Sequence, residues 1–363
     1  MSWRSLCSRG RLGIDPSLFL ESEASLQPGQ AVFKEKIRDA FISSRLKNVF
    51  IDDIDKFLAL SVTPDLALAR EMISEVVKDD ILEIIHPVGK DELFLSFNTA
   101  CHLLGEVEEA STFWKDPTIK DVLGQGSSAE KLRAVTIYLD LLLKSEEYEE
   151  LIEFFAVNEE YLITHSTPVF LVLLAHYKQG TRQALTKSVA ILSKFSNEYE
   201  SKQKIFVSDK MAPVVALLAY NLQEYAKAFD ILQHFAKQKS YGHGPEKTFT
   251  LRSNSLIMMI LAKSGRVEEA IEILREWKPV KQKKLKSKFG KDVIENKRQI
   301  IFAAVETVVA AASKADPEIF REVMEMVGEI EESAEVVEGS MEELLFETIE
   351  HFTARRSEDR SSV

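Results

Sequence analysis

One predicted helical hairpin, spanning residues 254–277, constrains the fold of this chain more than any other stretch. An apolar stripe runs along each of its two helices, with members at Leu256, Ile260, Leu261, Val267, Ala270, Ile271 and Leu274. Ser264 and Gly265 interrupt the pattern and predict a turn. The small side chain of Ala270 allows two helix backbones to approach closely. Apolar surface remains on both sides of such a hairpin, so the sequence predicts neighbours of the same kind.

The same pattern recurs along the chain. The predicted packing positions, each equivalent to Ala270 in its own hairpin, are Ala69, Ala110, Leu151, Ser188, Ala228 and Ala270. They are separated by 41, 41, 37, 40 and 42 residues, which is the period of stacked helix pairs. A last pair is predicted from Phe302 to Val327. The sequence therefore predicts an all-α helix-pair solenoid, and the alternative is an ordinary helical bundle in which similar turns arise by chance.

Composition fits a helical protein with a continuous core. Hydrophobic residues make up 45% of the 363 residues, and there are only 10 prolines and 14 glycines to interrupt helices. The longest apolar stretch is broken by Glu306 and falls short of the roughly 18 residues of a membrane span, so no span is predicted. The two cysteines, Cys7 and Cys101, exclude a disulfide framework and a thiolate zinc site.

Three regions follow from the chain's composition. Residues 1–30 form a leader, with Arg4, Arg9 and Arg11 and no acidic residue before Asp15, which is typical of a mitochondrial transit peptide; a disordered terminus is the alternative. Residues 31–330 form the helical repeats with a basic insert at 278–298. Residues 331–363 form an acidic C-terminal helix or cap followed by a disordered tail.

The hairpin at 254–277 resembles the pentatricopeptide repeat. The similarity lies in an asparagine in the first helix, Lys-Ser-Gly-Arg at the turn and Glu-Glu-Ala-Ile-Glu in the second helix; residues 105–114 resemble the repeat more weakly. The block from Val32 to Ile73 is similar to the start of a small group of animal mitochondrial pentatricopeptide proteins. The resemblance implies a non-catalytic, RNA-associated protein of the mitochondrial matrix that acts in transcript maturation, stability or translation. A subunit of the small mitochondrial ribosomal subunit is a related alternative.

The resemblance also implies where RNA would bind. In repeats that read RNA, a polar side chain early in the first helix contacts one base per repeat. Ser255 and its neighbour Asn254 occupy that place in the best repeat, and Thr136 occupies it in another. Leu95 stands at the corresponding place elsewhere and cannot hydrogen-bond a base, so a complete base-by-base code is absent. Ordinary polar surface is the alternative for these residues.

Positive and negative charges are concentrated in different parts of the chain. The net charge is −12, which opposes unguided binding to a polyanion, yet residues 278–298 hold nine basic and two acidic residues. This basic insert is the predicted phosphate contact, and its central residues are Lys281, Lys283, Lys284, Lys286, Lys288 and Lys291; a solvated loop is the alternative. From Asp316 to Glu350 there are thirteen acidic residues and one arginine. That acidic region is predicted to cap the repeats, to dock a basic partner, or to fold back on the lysines in competition with RNA.

No enzyme pattern is present in the sequence. The seven histidines contain no HExxH and no spacing that directs two ligands at one metal, so neither a catalytic centre nor a cofactor is predicted. The predicted partner is single-stranded RNA from a mitochondrial transcript, and the alternative is a scaffold that binds another protein. A positive strip on the concave surface across at least three repeats would favour RNA, whereas a neutral or apolar groove would favour a peptide.

Overall fold

The computed structural model describes residues 26–44, 51–78, 89–123, 128–201, 210–235, 251–276, 285–286, 292–293, 299–333, 335–337 and 340–347. The chain divides into two compact units, unit 1 (Met1–Tyr161 with Ile349–Val363) and unit 2 (Leu162–Thr348). Helices dominate both units, and each strand in the described residues is two or three residues long. The predicted all-α class is therefore confirmed. Most of the predicted leader and the C-terminal tail lie outside the described residues.

The described residues of unit 1 form nine α-helices and one 3₁₀ turn, Thr63–Asp65. The helices are α1 (Pro28–Ser44), α2 (Ile51–Ala59), α3 (Leu66–Lys78), α4 (Gly89–Leu104), α5 (Val107–Lys115), α6 (Pro117–Leu123), α7 (Ala129–Lys144), α8 (Tyr148–Val157) and α9 (Glu159–Leu162). Asp52 and Asp53 fall in the first turn of α2, where carboxylates stabilise the positive end of the helix dipole.

Unit 2 contains nine further helices and four short strands within its described residues. In chain order these are α10 (Ser166–Gln179), α11 (Arg182–Ser201), α12 (Met211–Asn221), α13 (Tyr225–Phe235), α14 (Leu251–Lys263), α15 (Val267–Glu276), β1 (Leu285–Lys286), β2 (Asp292–Val293), β3 (Gln299–Ile301), α16 (Phe302–Ala315), α17 (Pro317–Ser333), β4 (Glu335–Val337) and α18 (Met341–Glu347). The predicted last pair, Phe302 to Val327, corresponds to α16 and α17.

Successive helices pack as hairpins, and the predicted packing positions lie in their second helices. The pairs are α2 with α3, α4 with α5 and α7 with α8 in unit 1, and α10 with α11, α12 with α13, α14 with α15 and α16 with α17 in unit 2. All six predicted packing positions have 0% of their surface exposed: Ala69, Ala110, Leu151, Ser188, Ala228 and Ala270. The first helices of neighbouring pairs also touch within each unit. That these pairs form a pentatricopeptide-type solenoid stays a prediction.

Most of the hairpin turns share one backbone feature, a left-handed residue one or two positions after the end of the first helix. Positive φ angles occur at Gly105 (77°), Glu146 (65°), Gly180 (63°), Gln223 (63°) and Gly265 (81°). In four of these turns the next residue donates its N–H to the carbonyl five residues earlier at 2.9 Å, as Arg266 does to Leu261. This closure is the Schellman motif, which satisfies carbonyl groups at the end of a helix. In those four turns the packing position follows the left-handed residue by five residues.

Polar contacts between successive pairs repeat with the same period. Seven side-chain hydrogen bonds between described residues join residues 38 to 44 positions apart: Thr63 to Glu106, Arg70 to Glu109, Ser74 to Asp116, Ser96 to Asp55, His102 to Asp140, Lys144 to His102, and Asn221 to Tyr177. A separation of one repeat means that corresponding places in adjacent pairs face each other. These contacts therefore fix the register of one pair on the next within each unit.

The region that resembles the start of the mitochondrial group is held together around one buried carboxylate. Asp65 pairs with Lys34 at 2.5 Å and with Arg38 at 2.7 Å, both on α1. Its second role is to accept the backbone N–H of Val62 at 2.9 Å, which caps the 3₁₀ turn. Because Lys34 and Asp65 are both almost fully buried, replacing Asp65 by a neutral residue would remove a counter-charge from the buried ammonium group of Lys34.

Unit 2 ends in β4 and α18, which we call the strap. β4 pairs in parallel with β3, so that Gln299 lies opposite Glu335 and Ile301 lies opposite Val337. α18 begins with a capping box in which Glu343 N–H donates to Ser340 Oγ at 3.1 Å and Ser340 N–H donates to Glu343 Oε2 at 2.8 Å. α18 then contacts the first helices α12 and α14.

The burial of Ala270 between the two helices of its hairpin predicts that a larger side chain at this position lowers the stability of the protein. Ala270→Leu should lower the free energy of unfolding by about 1 to 3 kcal/mol, because added carbon atoms would overpack a closed contact between helices. Urea unfolding measures this change. Glu272→Leu, on the exposed side of the same helix, is the control and should change stability by less than about 0.5 kcal/mol. Equal effects at both positions would contradict the assigned packing.

The turn geometry predicts that replacing glycine by alanine has opposite effects on stability at Gly265 and at Gly328. Gly265→Ala should destabilise by about 1 to 2 kcal/mol, because alanine is strained at a φ of 81° while open space surrounds the added carbon. Gly328→Ala, inside α17 with equally open space, should stabilise by about 0.5 to 1 kcal/mol. Thermal unfolding of both variants provides the comparison, and stabilisation by Gly265→Ala would exclude the left-handed turn.

Candidate nucleic-acid interface

The structure does not place Ser255 where RNA could reach it. Ser255 lies in the second turn of α14, and 0% of its surface is exposed. Its hydroxyl group has no hydrogen-bond partner among the described residues. Ser255 therefore cannot present its hydroxyl group to an RNA base and does not belong to the candidate interface. Its neighbour Asn254 is partly exposed and remains a candidate.

Thr136 is also unsuited to contact a base. It lies in the middle of α7 with 7% of its surface exposed. Its Oγ1 donates to the carbonyl oxygen of Leu132 at 2.7 Å, one turn earlier in the same helix. Bonding back to the helix is a common use of a threonine hydroxyl. The alternative of ordinary exposed polar surface is wrong as well, because both Ser255 and Thr136 are buried.

Little of the predicted phosphate-binding segment belongs to the described residues. Lys286 lies in β1, opposite Asp292 in the antiparallel pair of β1 with β2. The other predicted lysines, Lys281, Lys283, Lys284, Lys288 and Lys291, lie outside the described residues. The described backbone thus contains a short antiparallel ribbon inside the basic insert.

The first helices of unit 1 are acidic overall. Helices α2, α4 and α7 together contain seven acidic and five basic residues. Asp55 on α2 accepts a hydrogen bond from Ser96 on α4, so the acidic character continues across the boundary between these two helices. This set of helices lacks the net positive charge that was expected to favour RNA.

Three first helices of unit 2 are very apolar and carry a small net positive charge. Helices α10, α12 and α14 contain three basic residues, Lys178, Arg252 and Lys263, and no acidic residue. Every residue from Met211 to Ala219 of α12 is buried. Such extensive burial means that the faces of these helices are covered by other parts of unit 2.

Part of this cover is the strap. Met341 and Leu345 of α18 are 3% and 0% exposed. Glu342 of α18 pairs with Lys178 of α10 at 2.8 Å. Burial and the charge of Glu342 raise the pKa of Tyr177 to about 12, and the Tyr177 hydroxyl also accepts from Asn221 Nδ2 at 3.1 Å. α18 therefore contacts α10, α12 and α14, the first helices of three successive pairs.

A cluster of ionisable residues that the sequence reasoning missed joins α4 to α7. His102 Nε2 lies 2.7 Å from Asp140 Oδ2, and Lys144 Nζ lies 3.0 Å from the same oxygen. His102 Nδ1 is buried and makes no hydrogen bond within the described part of the chain. The adjacent Cys101 is a poor nucleophile, because burial raises the pKa of its thiol far above the usual range. The only sequence signal for this cluster was the repeat-length separation of His102 and Asp140.

The described part of the chain contains no group of three or more His, Cys, Asp or Glu residues that could hold a metal ion. None of its helices is both long enough and apolar enough to cross a bilayer.

The chain was also compared with known proteins. No family model, curated protein or solved structure matched it.

The buried hydroxyl group of Ser255 makes no hydrogen bond to the described residues, so its removal should stabilise the protein. Ser255→Ala should raise the free energy of unfolding by up to about 1 kcal/mol, because the hydroxyl loses hydration on folding without gaining a hydrogen bond. Ser188→Ala is a matched variant with the same environment in α11 and should respond similarly. Urea unfolding tests both. A loss of stability at Ser255 would indicate a hydrogen bond that its burial conceals.

Proposed function

We propose that this chain is a non-catalytic helical-repeat protein of the pentatricopeptide type that associates with single-stranded RNA in the mitochondrial matrix. Within that family we place it in the group called pentatricopeptide repeat domain protein 2. Its role would be the maturation, stability or translation of a mitochondrial transcript. The helix pairs would then form a solenoid of degenerate repeats.

The observation that carries this proposal is the junction between α15 and the basic insert. The hairpin of α14 and α15 has the left-handed Gly265 and the buried Ala270 that its resemblance to the repeat requires. α15 ends at Glu276, and the insert with nine basic residues starts two residues later. A repeat scaffold and a dense phosphate-binding segment are therefore joined directly.

Recognition would depend on the RNA backbone more than on its bases. Ser255 and Thr136 cannot offer their hydroxyls, and only Asn254 among the expected base contacts is accessible. Phosphate contacts position a protein on nucleic acid without reading sequence. We therefore expect weak sequence preference and strong salt dependence.

A scaffold that binds protein, including a role within the mitochondrial ribosome, is the second candidate. It is favoured by the apolar first helices α10, α12 and α14 of unit 2, because an apolar groove was expected to suit a peptide. The strap, a segment of polypeptide, already lies on these helices. The two candidates differ in their response to salt, because burial of apolar surface responds far less to ionic strength than phosphate binding does.

Neutralising the insert tests the RNA proposal. Changing Lys281, Lys283, Lys284 and Lys286 together to glutamine should weaken binding to a poly(U) oligonucleotide. The slope of log affinity against log salt should fall by up to about four times the single-contact value of roughly 0.7. Fluorescence anisotropy over a series of salt concentrations measures both quantities.

A control variant with the same change in net charge distinguishes direct contact of the insert with phosphate groups from general electrostatic attraction of the protein to RNA. The control variant replaces four exposed lysines elsewhere in unit 2 by glutamine: Lys187, Lys194, Lys263 and Lys314. It should retain most of the slope. Equal slopes for wild type and the insert variant would assign the lysines to solubility and favour the scaffold.

A further inference from the structure

Phe302 is the one aromatic residue among the exposed large hydrophobic side chains of the described residues. It is the first residue of α16, and 40% of its surface is exposed. The other exposed residues of this kind are Val32, Ile42, Val157 and Met324. A single exposed hydrophobic side chain is ordinary on a protein surface. The position of Phe302, between a fixed strand and the basic insert, distinguishes it from the other four.

The backbone at Phe302 is held on both sides. Ile301, the preceding residue, is 1% exposed and lies opposite Val337 in the parallel pair of β3 with β4. Ala304 and Val305, in the same turn of α16, are buried as well. The step from strand to helix therefore buries Ile301 and leaves Phe302 exposed. An aromatic ring on a fixed backbone loses little conformational freedom when a ligand stacks on it.

Positive charge lies on one side of Phe302 along the chain. The insert ends with Lys297 and Arg298, and four residues of chain keep the Cα atoms of Arg298 and Phe302 within about 14 Å of each other. The first turn of α16 contains no acidic residue. Its only acidic residue, Glu306, is exposed one turn after Phe302 on the same side of the helix. Phosphate groups would therefore be attracted to the insert and repelled from the other side of Phe302.

An unpaired nucleotide base is the ligand that fits these features. Proteins that bind single strands combine basic groups along the backbone with aromatic side chains on which bases stack. The bases inside a duplex are stacked on one another and offer no such face. A hydrophobic side chain of another protein could also cover Phe302, but the nine basic residues of the insert would not attract it.

We propose that Phe302 stacks on an unpaired RNA base whose neighbouring phosphate groups are bound by the basic insert. This inference rests on the proposed function and adds a base contact to it. Stacking makes the protein select single-stranded RNA over duplex RNA. It also gives a modest preference for adenine over uracil, because preferences of this kind follow stacking strength.

Three substitutions at Phe302 separate stacking from other contributions. Phe302→Ala removes the ring, Phe302→Leu keeps apolar surface without an aromatic face, and Phe302→Trp keeps an aromatic face. Met324→Ala is the matched control, because Met324 is similarly exposed, at 45%, but lies between Glu322 and Glu325 of α17. Fluorescence anisotropy over a salt series measures binding of oligo(A), oligo(U) and an RNA duplex of the same length. Urea unfolding establishes that each variant is folded.

The stacking contact predicts a graded result. Phe302→Ala should weaken binding of oligo(A) by about 5- to 150-fold, the range for one base stacked on an aromatic side chain. Phe302→Leu should lose nearly as much, whereas Phe302→Trp and Met324→Ala should bind as tightly as wild type. The salt slope should be the same in all variants, because no charge changes. Duplex binding should also be the same.

Several outcomes would overturn the inference. Wild-type affinity in Phe302→Ala would exclude the stacking contact and leave the lysine-dependent salt slope, and with it the proposed function, intact. Wild-type affinity in Phe302→Leu would show an apolar contact without stacking, and this variant decides if Phe302→Ala does not fold. An equal loss for the duplex would show a general effect on the protein. If wild type binds none of these RNAs at low salt, the proposed function fails as well.

Discussion

The structure depends on the close approach of two helix backbones in each hairpin. Four of the six packing positions are alanine, and all six are completely buried. A small side chain brings the helices together, and the apolar stripes on either side then complete the core. The left-handed turn five residues earlier sets where the second helix starts. Turn and packing position therefore act as one unit, which explains why their spacing is constant in four hairpins.

Sequence reasoning predicted the periodic features and missed those that depend on tertiary contacts. The period of about 40 residues located all six packing positions, because burial follows directly from apolar periodicity. It did not find the left-handed Glu146 and Gln223, because a non-glycine residue at such a turn has no distinctive local pattern. The sequence predicted that Ser255 is exposed. Its burial depends on neighbours distant in sequence, and a local pattern does not reveal such neighbours.

The distribution of charge explains how an acidic chain can be proposed to bind RNA. Positive charge is concentrated in one insert between two helix pairs, while the strap and α17 contain much of the negative charge. Attraction to a polyanion then acts over a short range, since screening limits it to about 8 Å at physiological ionic strength. The rest of the surface repels RNA and favours a single orientation of approach.

The parallel pairing of β3 with β4 gives the strap a fixed tether. β3 leads directly into α16, and β4 follows α17 after a single residue, so the last helix pair is enclosed between the two strands. α18 is therefore held beside α12 and α14 at a high effective concentration. A transient opening of this short helix would close again quickly, so a few buried side chains are enough to keep it in place.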